Sequence, residues 1–285
     1  MDISKIFIVG ANGQLGTALR EKYPQALFAD VGELDITERS SVEKFDWSDI
    51  DVIINAAAYT NVDGAETPEG RRAAWAINAD GVANLVAVAA QHNAVLVHIS
   101  SDYVFDGTEK VHTEDEAFSP LSVYGASKAA GDLAVSLAPK FYLLRTTWVI
   151  GEGKNFVRTM LGLVEKDISP TVVSDQVGRL TFTSELVRAI DHLLTSDAAF
   201  GTYNVTNAGE VAGWAAITRK IFALAGRSDL AVSDATTAEY FAGKEGIAPR
   251  PLQSEMSLEK LQATGFESRD WEDDLKEYIE KENAQ

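Results

Sequence analysis

The sequence has no cysteine among its 285 residues, four histidines without metal-ligand spacing, and 25 basic residues against 43 acidic ones. The missing cysteine excludes disulfides, thiolate metal sites and a cysteine nucleophile, and it fits a reducing compartment. The net charge of −18 argues against nucleic acid or an anionic membrane surface as the main partner. No uninterrupted apolar run approaches the roughly 18 residues of a membrane span, and the apolar start is too short for a signal peptide. We therefore expect a soluble, cytoplasmic protein with no metal site, no nucleic-acid partner and no membrane contact.

Short apolar runs alternate with helical patterns along the first half of the chain. The runs are typical of parallel strands buried on both faces, and they cover residues 6–9, 26–29, 51–55, 95–99 and 141–146. This alternation predicts an α/β fold with a Rossmann-type, doubly wound parallel sheet. Beyond about residue 150 the pattern loosens. We assign residues 1–150 to a dinucleotide-binding domain and 151–285 to a smaller, interleaved C-terminal α/β portion that binds substrate.

A glycine-rich turn, Gly10-Ala-Asn-Gly13-Gln-Leu-Gly16, directly follows the first strand and opens a helical pattern. Strand, glycine turn and helix in this order form the context of a dinucleotide fingerprint, because N–H groups at the helix start bind a pyrophosphate. Asp30 ends the second predicted strand, where a carboxylate suits the ribose hydroxyls of NAD and repels a 2′-phosphate. The alternative is that Asp30 is an ordinary acidic loop residue. The sequence predicts NADPH or NADH as cofactor.

Tyr124 and Lys128 lie four residues apart in a helical pattern, so they would share one face of the helix. An ammonium group one turn from a phenol would lower the pKa of the phenol and make it a proton donor near neutral pH. The hydroxyl of Ser101, after the fourth strand, could hydrogen-bond the same substrate oxygen. A ketone that accepts hydride would be protonated by such a group. Taken alone, the Tyr–Lys pair is a weak signal, because chance pairs of this kind are common in helices and usually lie on a solvated face.

Residues after the fifth strand are candidates for holding a phosphorylated sugar. Trp148 could pack on the face of a sugar ring, although core packing is an equally good interpretation. Arg158, in the stretch Asn155-Phe-Val-Arg158, could pair bidentately with phosphate. Asp102 is either a substrate contact or a solvated turn residue.

An ordered set of motifs resembles the dTDP-4-dehydrorhamnose reductases, a family of extended short-chain dehydrogenases/reductases. Besides Tyr124-x3-Lys128, the motifs are Gly-Ala-Asn-Gly-Gln-Leu-Gly at 10–16, Asn-Ala-Ala-Ala-Tyr-Thr-Asn-Val-Asp at 55–63, Ser-Ser-Asp-Tyr-Val-Phe-Asp-Gly at 100–107 and Arg-Thr-Thr-Trp-Val at 145–149. The resemblance implies NAD(P)H-dependent reduction of the C4 ketone of dTDP-4-dehydro-L-rhamnose to dTDP-L-rhamnose, with a small-molecule sugar nucleotide as partner. It also allows Mg²⁺ and a homodimer, although the sequence offers no carboxylate cage for the ion.

The resemblance implies roles residue by residue. Ser101, Tyr124 and Lys128 would be catalytic, with Lys128 lowering the pKa of Tyr124 and binding the nicotinamide ribose. The cofactor would contact Gly10, Asn12, Gly13, Gln14, Leu15, Asp30, Asp35, Ile36, Ala56, Ala57, Ala58, Tyr59, Thr60, Ile99, Tyr124 and Lys128. The sugar nucleotide would contact Val62, Asp63, Ser101, Asp102, Tyr103, Trp148, Asn155 and Arg158.

Other functions remain open at this point. A related nucleotide-sugar enzyme could form the epimeric C4 alcohol, epimerise its substrate or remove water from it. Dehydratases of the superfamily carry an Asp-Glu pair after the Ser/Thr, whereas Asp102 is followed by Tyr103 here. A non-catalytic, NAD(P)-binding regulatory subunit is a further alternative, because fold alone does not fix function.

Overall fold

The structure is a computed structural model that describes residues 1–283, and twelve strands lie within that range. In chain order they are β1 Ile6–Val9, β2 Leu27–Ala29, β3 Val52–Asn55, β4 Val95–Ser101, β5 Phe141–Thr146, β6 Val149–Ile150, β7 Thr171–Val173, β8 Val177–Gly178, β9 Thr181–Phe182, β10 Gly201–Asn204, β11 Ala212–Gly213 and β12 Ser233–Ala235. Six of them form one parallel sheet in the order β10-β5-β4-β3-β1-β2. The other six pair as three short two-stranded ladders.

Helices connect these strands. They are α1 Gln14–Lys22, α2 Arg39–Lys44, α3 Pro68–Trp75, α4 Val82–Gln91, α5 Val123–Val135, α6 Phe156–Val164, α7 Thr183–Thr195, α8 Trp214–Leu224, α9 Thr237–Tyr240, α10 Glu259–Gln262 and α11 Trp271–Asn283. A π-helical turn, Ala76–Gly81, joins α3 to α4 without a break. The combined helix Pro68–Gln91 is long and apolar enough to cross a membrane, but half of its most apolar window is buried inside the protein. Core helices of soluble proteins pass the same test, so this helix is weak support for a membrane span.

The strand order confirms the predicted Rossmann-type, doubly wound sheet. Chain order reverses between β1 and β3, which pair in parallel with Val9 opposite Asn55. On such sheets the crevice beyond the carboxyl ends of the strands at this reversal is where ligands bind. The glycine turn after β1 therefore stands at the expected place.

Apolar side chains fill both faces of the sheet. One core cluster joins β1 and β3 to α1 and α7, and a second joins the other face to α2 and α4. A third cluster packs α6, α8 and α11 against β6 and β9. The later part of the chain nevertheless also contributes β10 and α7 to the main sheet. The division at residue 150 stays a prediction.

Candidate active site

The main chain of the glycine turn after β1 packs directly against the main chain that follows β3 and against the start of α1. Gly10 has a φ of +77°, and a Cβ there would lie 2.5 Å from the amide nitrogen of Ala57. A Cβ on Gly16 would lie 2.2 Å from the carbonyl oxygen of Gly10. Only glycine fits these two positions, because any side chain would collide with main chain that cannot move away.

Helix α1 starts with an uncapped turn. Gly13 is its N-cap residue and no side chain accepts a hydrogen bond from the first turn. The N–H groups of that turn are therefore available to an anion, which the helix dipole also favours. A dinucleotide pyrophosphate fits this cradle in both shape and charge.

A cavity of about 640 Å³ lies beside the turn. The predicted cofactor residues that line it are Gly10, Asn12, Gly13, Asp30, Asp35, Ile36, Ala56, Ala57 and Ala58. The Asp30 carboxylate is held in place, since it accepts hydrogen bonds from the backbone N–H groups of Asn12 at 2.9 Å and Val31 at 2.8 Å. A carboxylate fixed at the cavity wall is positioned to meet a ribose.

A second cavity of about 670 Å³ shares Asn12, Gly13, Ala56 and Ala58 with the first. The other predicted residues on its wall are Gln14, Leu15, Thr60, Val62, Ile99, Ser101, Asp102, Tyr103, Tyr124, Lys128 and Trp148. The two cavities therefore adjoin each other, and together we call them the cleft. It runs from Asp30 to the Tyr–Lys pair.

Helix α5 carries Tyr124 and Lys128 into this cleft. Its first turn is capped by Ser122, whose hydroxyl oxygen accepts a hydrogen bond from the N–H of Gly125 at 3.1 Å. Both side chains are buried, and the Lys128 ammonium donates to the carbonyl oxygen of Ile99 at 2.6 Å. The helix is thereby fastened to β4, the strand that ends in Ser101.

The predicted lowering of the Tyr124 pKa is wrong for this structure. Burial raises the pKa of Tyr124 to about 12, and hydrogen bonding with Ser101 offsets only part of the rise. Burial also lowers the pKa of Lys128 to about 8. The reason is desolvation, which disfavours the charged form of both groups. Tyr124 therefore holds its proton at neutral pH, and Lys128 is still mostly an ammonium.

Asp102 links Ser101 to the later part of the chain. Its carboxylate accepts hydrogen bonds from the hydroxyls of Ser101 at 2.9 Å and Ser254 at 2.6 Å. Burial raises the pKa of Asp102 to about 6, while these hydrogen bonds lower it. The solvated-turn interpretation of Asp102 therefore fails. Sequence reasoning missed Ser254, which has no motif of its own and reaches the site only through the fold.

Trp148 has an unusual backbone conformation. Its φ is +47°, a left-handed conformation that a bulky side chain rarely adopts. Its indole stacks on that of Trp214, with ring centroids 3.8 Å apart, and it also lines the second cavity. Strained residues of this kind gather at ligand-binding sites.

Four predicted residues lie outside both cavities, namely Tyr59, Asp63, Asn155 and Arg158. Tyr59 is tied through its backbone to the Asn78 side chain. Both carboxylate oxygens of Asp63 accept hydrogen bonds from Nη2 of Arg250, at 2.8 and 2.9 Å. Asn155 is not a wall residue either, because its side chain caps α6.

Arg158 was expected to bind phosphate, and the structure corrects that expectation. Its guanidinium donates to Glu152 at 2.8 Å and to Glu282 at 2.6 and 2.8 Å. Two carboxylates therefore occupy the group, and the side chain does not line the cleft. A phosphate could reach it only by displacing them.

The structure gives no support to Mg²⁺. Among residues 1–283, no three His, Asp or Glu side chains are grouped so that they could hold an ion. The residues that are described thus form a cradle for a dinucleotide, and they add no support to the Mg²⁺ that the resemblance allows.

Comparisons with known proteins agree on one family. The family model described as "RmlD substrate binding domain" matches residues 4–284. The dTDP-4-dehydrorhamnose reductase of Aggregatibacter actinomycetemcomitans is 37% identical, with 96% of this chain and 98% of that protein covered. The crystal structure of a dTDP-4-dehydrorhamnose reductase from Clostridium acetobutylicum superposes with a TM-score of 0.90 at 37% identity, covering 98% and 99% of the two chains. That of Bacillus anthracis, in complex with NADP, gives 0.88 at 35% identity, covering 97% and 98%.

Proposed function

Because the chain belongs to the dTDP-4-dehydrorhamnose reductase family, we propose that it reduces the C4 ketone of dTDP-4-dehydro-L-rhamnose to dTDP-L-rhamnose, with NADPH or NADH as cofactor. In this proposal residues 1–150 hold the dinucleotide, and residues 151–285 complete a sugar-nucleotide surface to which Ser101, Asp102 and Trp148 also contribute.

One observation carries the proposal. Ser101, Tyr124 and Lys128 line the same cavity as the start of α1 and the indole of Trp148. Three groups suited to ketone reduction therefore face a space that adjoins the dinucleotide cradle. An intact set of hydroxyl, phenol and ammonium groups at one place favours catalysis over cofactor binding alone.

When bound, the dinucleotide would supply a hydride to the C4 carbon of the substrate. The oxygen of that carbonyl then develops negative charge, and Tyr124 donates its proton to it. A pKa of about 12 does not prevent this step, because the phenol is protonated at neutral pH and an alkoxide is the stronger base.

Ser101 and Lys128 would both stabilise the negative charge that develops on the substrate oxygen. The Ser101 hydroxyl donates to Asp102 in the present structure, so it would turn toward the substrate oxygen when the ketone binds. The Lys128 ammonium places positive charge near Tyr124 and the cofactor ribose, which favours charge development on the substrate oxygen. Both groups are held by hydrogen bonds in the present structure.

Trp148 supplies an aromatic face for the hexose. Its stacking on Trp214 holds the indole in one orientation, so little side-chain freedom is lost when a sugar packs against it. Asp102 is fixed in the same way by Ser254 and can accept a hydrogen bond from a sugar hydroxyl.

The direct test is incubation of the protein with dTDP-4-dehydro-L-rhamnose and each nicotinamide cofactor, with the sugar product identified by NMR. We expect dTDP-L-rhamnose together with stoichiometric oxidation of the cofactor. Formation of the epimeric alcohol would indicate a related reductase. Cofactor binding without any turnover of dTDP-4-keto sugars would indicate a regulatory subunit and would contradict the proposal.

A further inference from the structure

The loop between β6 and α6 borders the same cavity as the glycine turn. This loop, which we call the 151–154 loop, contributes Glu152, Gly153 and Lys154 to the cavity wall. It is tied to the start of α1, because the backbone N–H of Gly151 donates to the side-chain oxygen of Gln14 at 2.9 Å. Any ligand that lies on the first turn of α1 therefore also lies beside this loop.

Few positive charges are available along the cleft. The charged residues on the wall of the second cavity are Asp102, Lys128, Glu152 and Lys154. Lys128 is buried and bonded to the Ile99 carbonyl. A protein with a net charge of −18 has no general attraction for anions, so an anionic ligand needs a local cation.

Lys154 is the cation left for this purpose. Within residues 1–283, no carboxylate lies within 4.0 Å of its ammonium group, whereas Glu152 is paired with Arg158 at 2.8 Å and with Lys281 at 3.6 Å. The side chain of Lys154 is exposed at the mouth of the cavity. Pairing of the Glu152 carboxylate with other cations leaves Lys154 free to meet a ligand.

Hydrogen bonds to the carbonyl oxygens of Gly151 and Gly153 hold one side of the loop, and its other side faces open space. Gly153 has a φ of +88°, and a Cβ built on it would meet no atom within 4 Å. Its neighbour Glu152 is anchored to the start of α6 and to α11 through Arg158, which also binds Glu282. Lys154 thus stands on a short segment that is fixed at one side and open at the other.

We propose that Lys154 binds a diphosphate group in this cleft, a role for which none of the sequence motifs identified it. The inference rests on the proposed function, in which both ligands carry a diphosphate: the dinucleotide cofactor and the sugar nucleotide. The uncapped N–H groups of α1 hold the dinucleotide diphosphate from one side, and the Lys154 ammonium supplies the positive charge that they lack. The sugar-nucleotide diphosphate is the other source of the same chemistry.

The test compares Lys154→Met and Lys154→Arg with a matched control, Lys166→Met. Lys166 is an exposed lysine just beyond the opposite end of α6, so its removal changes the net charge equally without touching the cleft. NADPH, NADH and dTDP are titrated separately by calorimetry, with dTDP added both to the free protein and to the cofactor-saturated protein. Thermal melts check that every variant is folded.

We expect Lys154→Met to weaken at least one diphosphate ligand about tenfold, as loss of a charge-assisted contact does. Lys154→Arg and Lys166→Met should stay within about threefold of the wild type. Weakened NADPH and NADH binding assigns Lys154 to the cofactor, and weakened dTDP binding assigns it to the sugar nucleotide. If Lys154→Met binds all three ligands like Lys166→Met, the inference is wrong. If dTDP fails to bind the wild type, the proposed function fails, and the cofactor titrations alone decide the role of Lys154.

Discussion

The Lys128 ammonium donates a hydrogen bond of 2.6 Å to the carbonyl oxygen of Ile99, two residues before Ser101. This bond ties the helix that carries Tyr124, the proposed proton donor, to the strand that ends in Ser101. Because Lys128 is buried, its pKa falls to about 8. The charge of Lys128 therefore changes near pH 8, where the chain as a whole carries a net negative charge.

This pKa predicts a pH profile. Lys128 is an ammonium below about pH 8 and loses its charge above that pH, so kcat/KM of the wild type should fall as the pH rises through about 8. Lys128→Met should be slower at every pH and should lack that descending limb, because the titrating group is gone. The measurement is kcat/KM from pH 6 to 10 for both proteins. The same limb in Lys128→Met would show that another group titrates.

Asp30 predicts the cofactor preference. Its carboxylate is held at the wall of the first cavity by two backbone N–H groups, and it would face the 2′-phosphate of NADPH with like charge. We expect a higher kcat/KM with NADH, and Asp30→Asn should shift the ratio several-fold toward NADPH. Asp49→Asn, at an exposed turn, is the matched control. An NADPH preference that Asp30→Asn leaves unchanged would mean that Asp30 does not meet the ribose.

The left-handed backbone of Trp148 predicts a difference between two truncations. Trp148→Ala and Trp148→Gly lose the same stack on Trp214, but only glycine adopts a φ of +47° without strain. The glycine variant should therefore be the more stable of the two by about 1 kcal/mol in urea denaturation. Both should bind dTDP-sugars more weakly than the wild type. Greater stability of Trp148→Ala would mean that the backbone relaxes once the indole is removed.

Local patterns predicted most of the fold. Apolar runs and the glycine turn identified the five strands up to residue 146, because strands buried on both faces leave a strong signal in sequence. The helix with Tyr124 and Lys128 on one face was confirmed for the same reason, since spacing within a helix is a local property. The cradle formed by Gly10 and Gly16 follows from two close backbone contacts that only glycine permits.

Properties that depend on distant partners were not predictable. The sequence alone indicates no partner for the Arg158 guanidinium, whereas the fold places Glu282 of the last helix beside it. The pKa of Tyr124 was predicted in the wrong direction, because the Lys128 spacing is visible in sequence and the depth of burial is not. Ser254 is joined to Asp102 across 152 residues of chain. Lys154 belongs to no motif and becomes a candidate only through the cavity that it borders.

The most direct measurement is the single-turnover rate of cofactor oxidation by Tyr124→Phe with dTDP-4-dehydro-L-rhamnose. The substitution removes one hydroxyl from a buried ring, so the fold and the cofactor affinity should stay close to those of the wild type. The rate should fall by about 10² or more, because the substrate oxygen loses its proton donor. Ketone reduction by Tyr124→Phe at a rate near that of the wild type would contradict the assignment of Tyr124 as the proton donor.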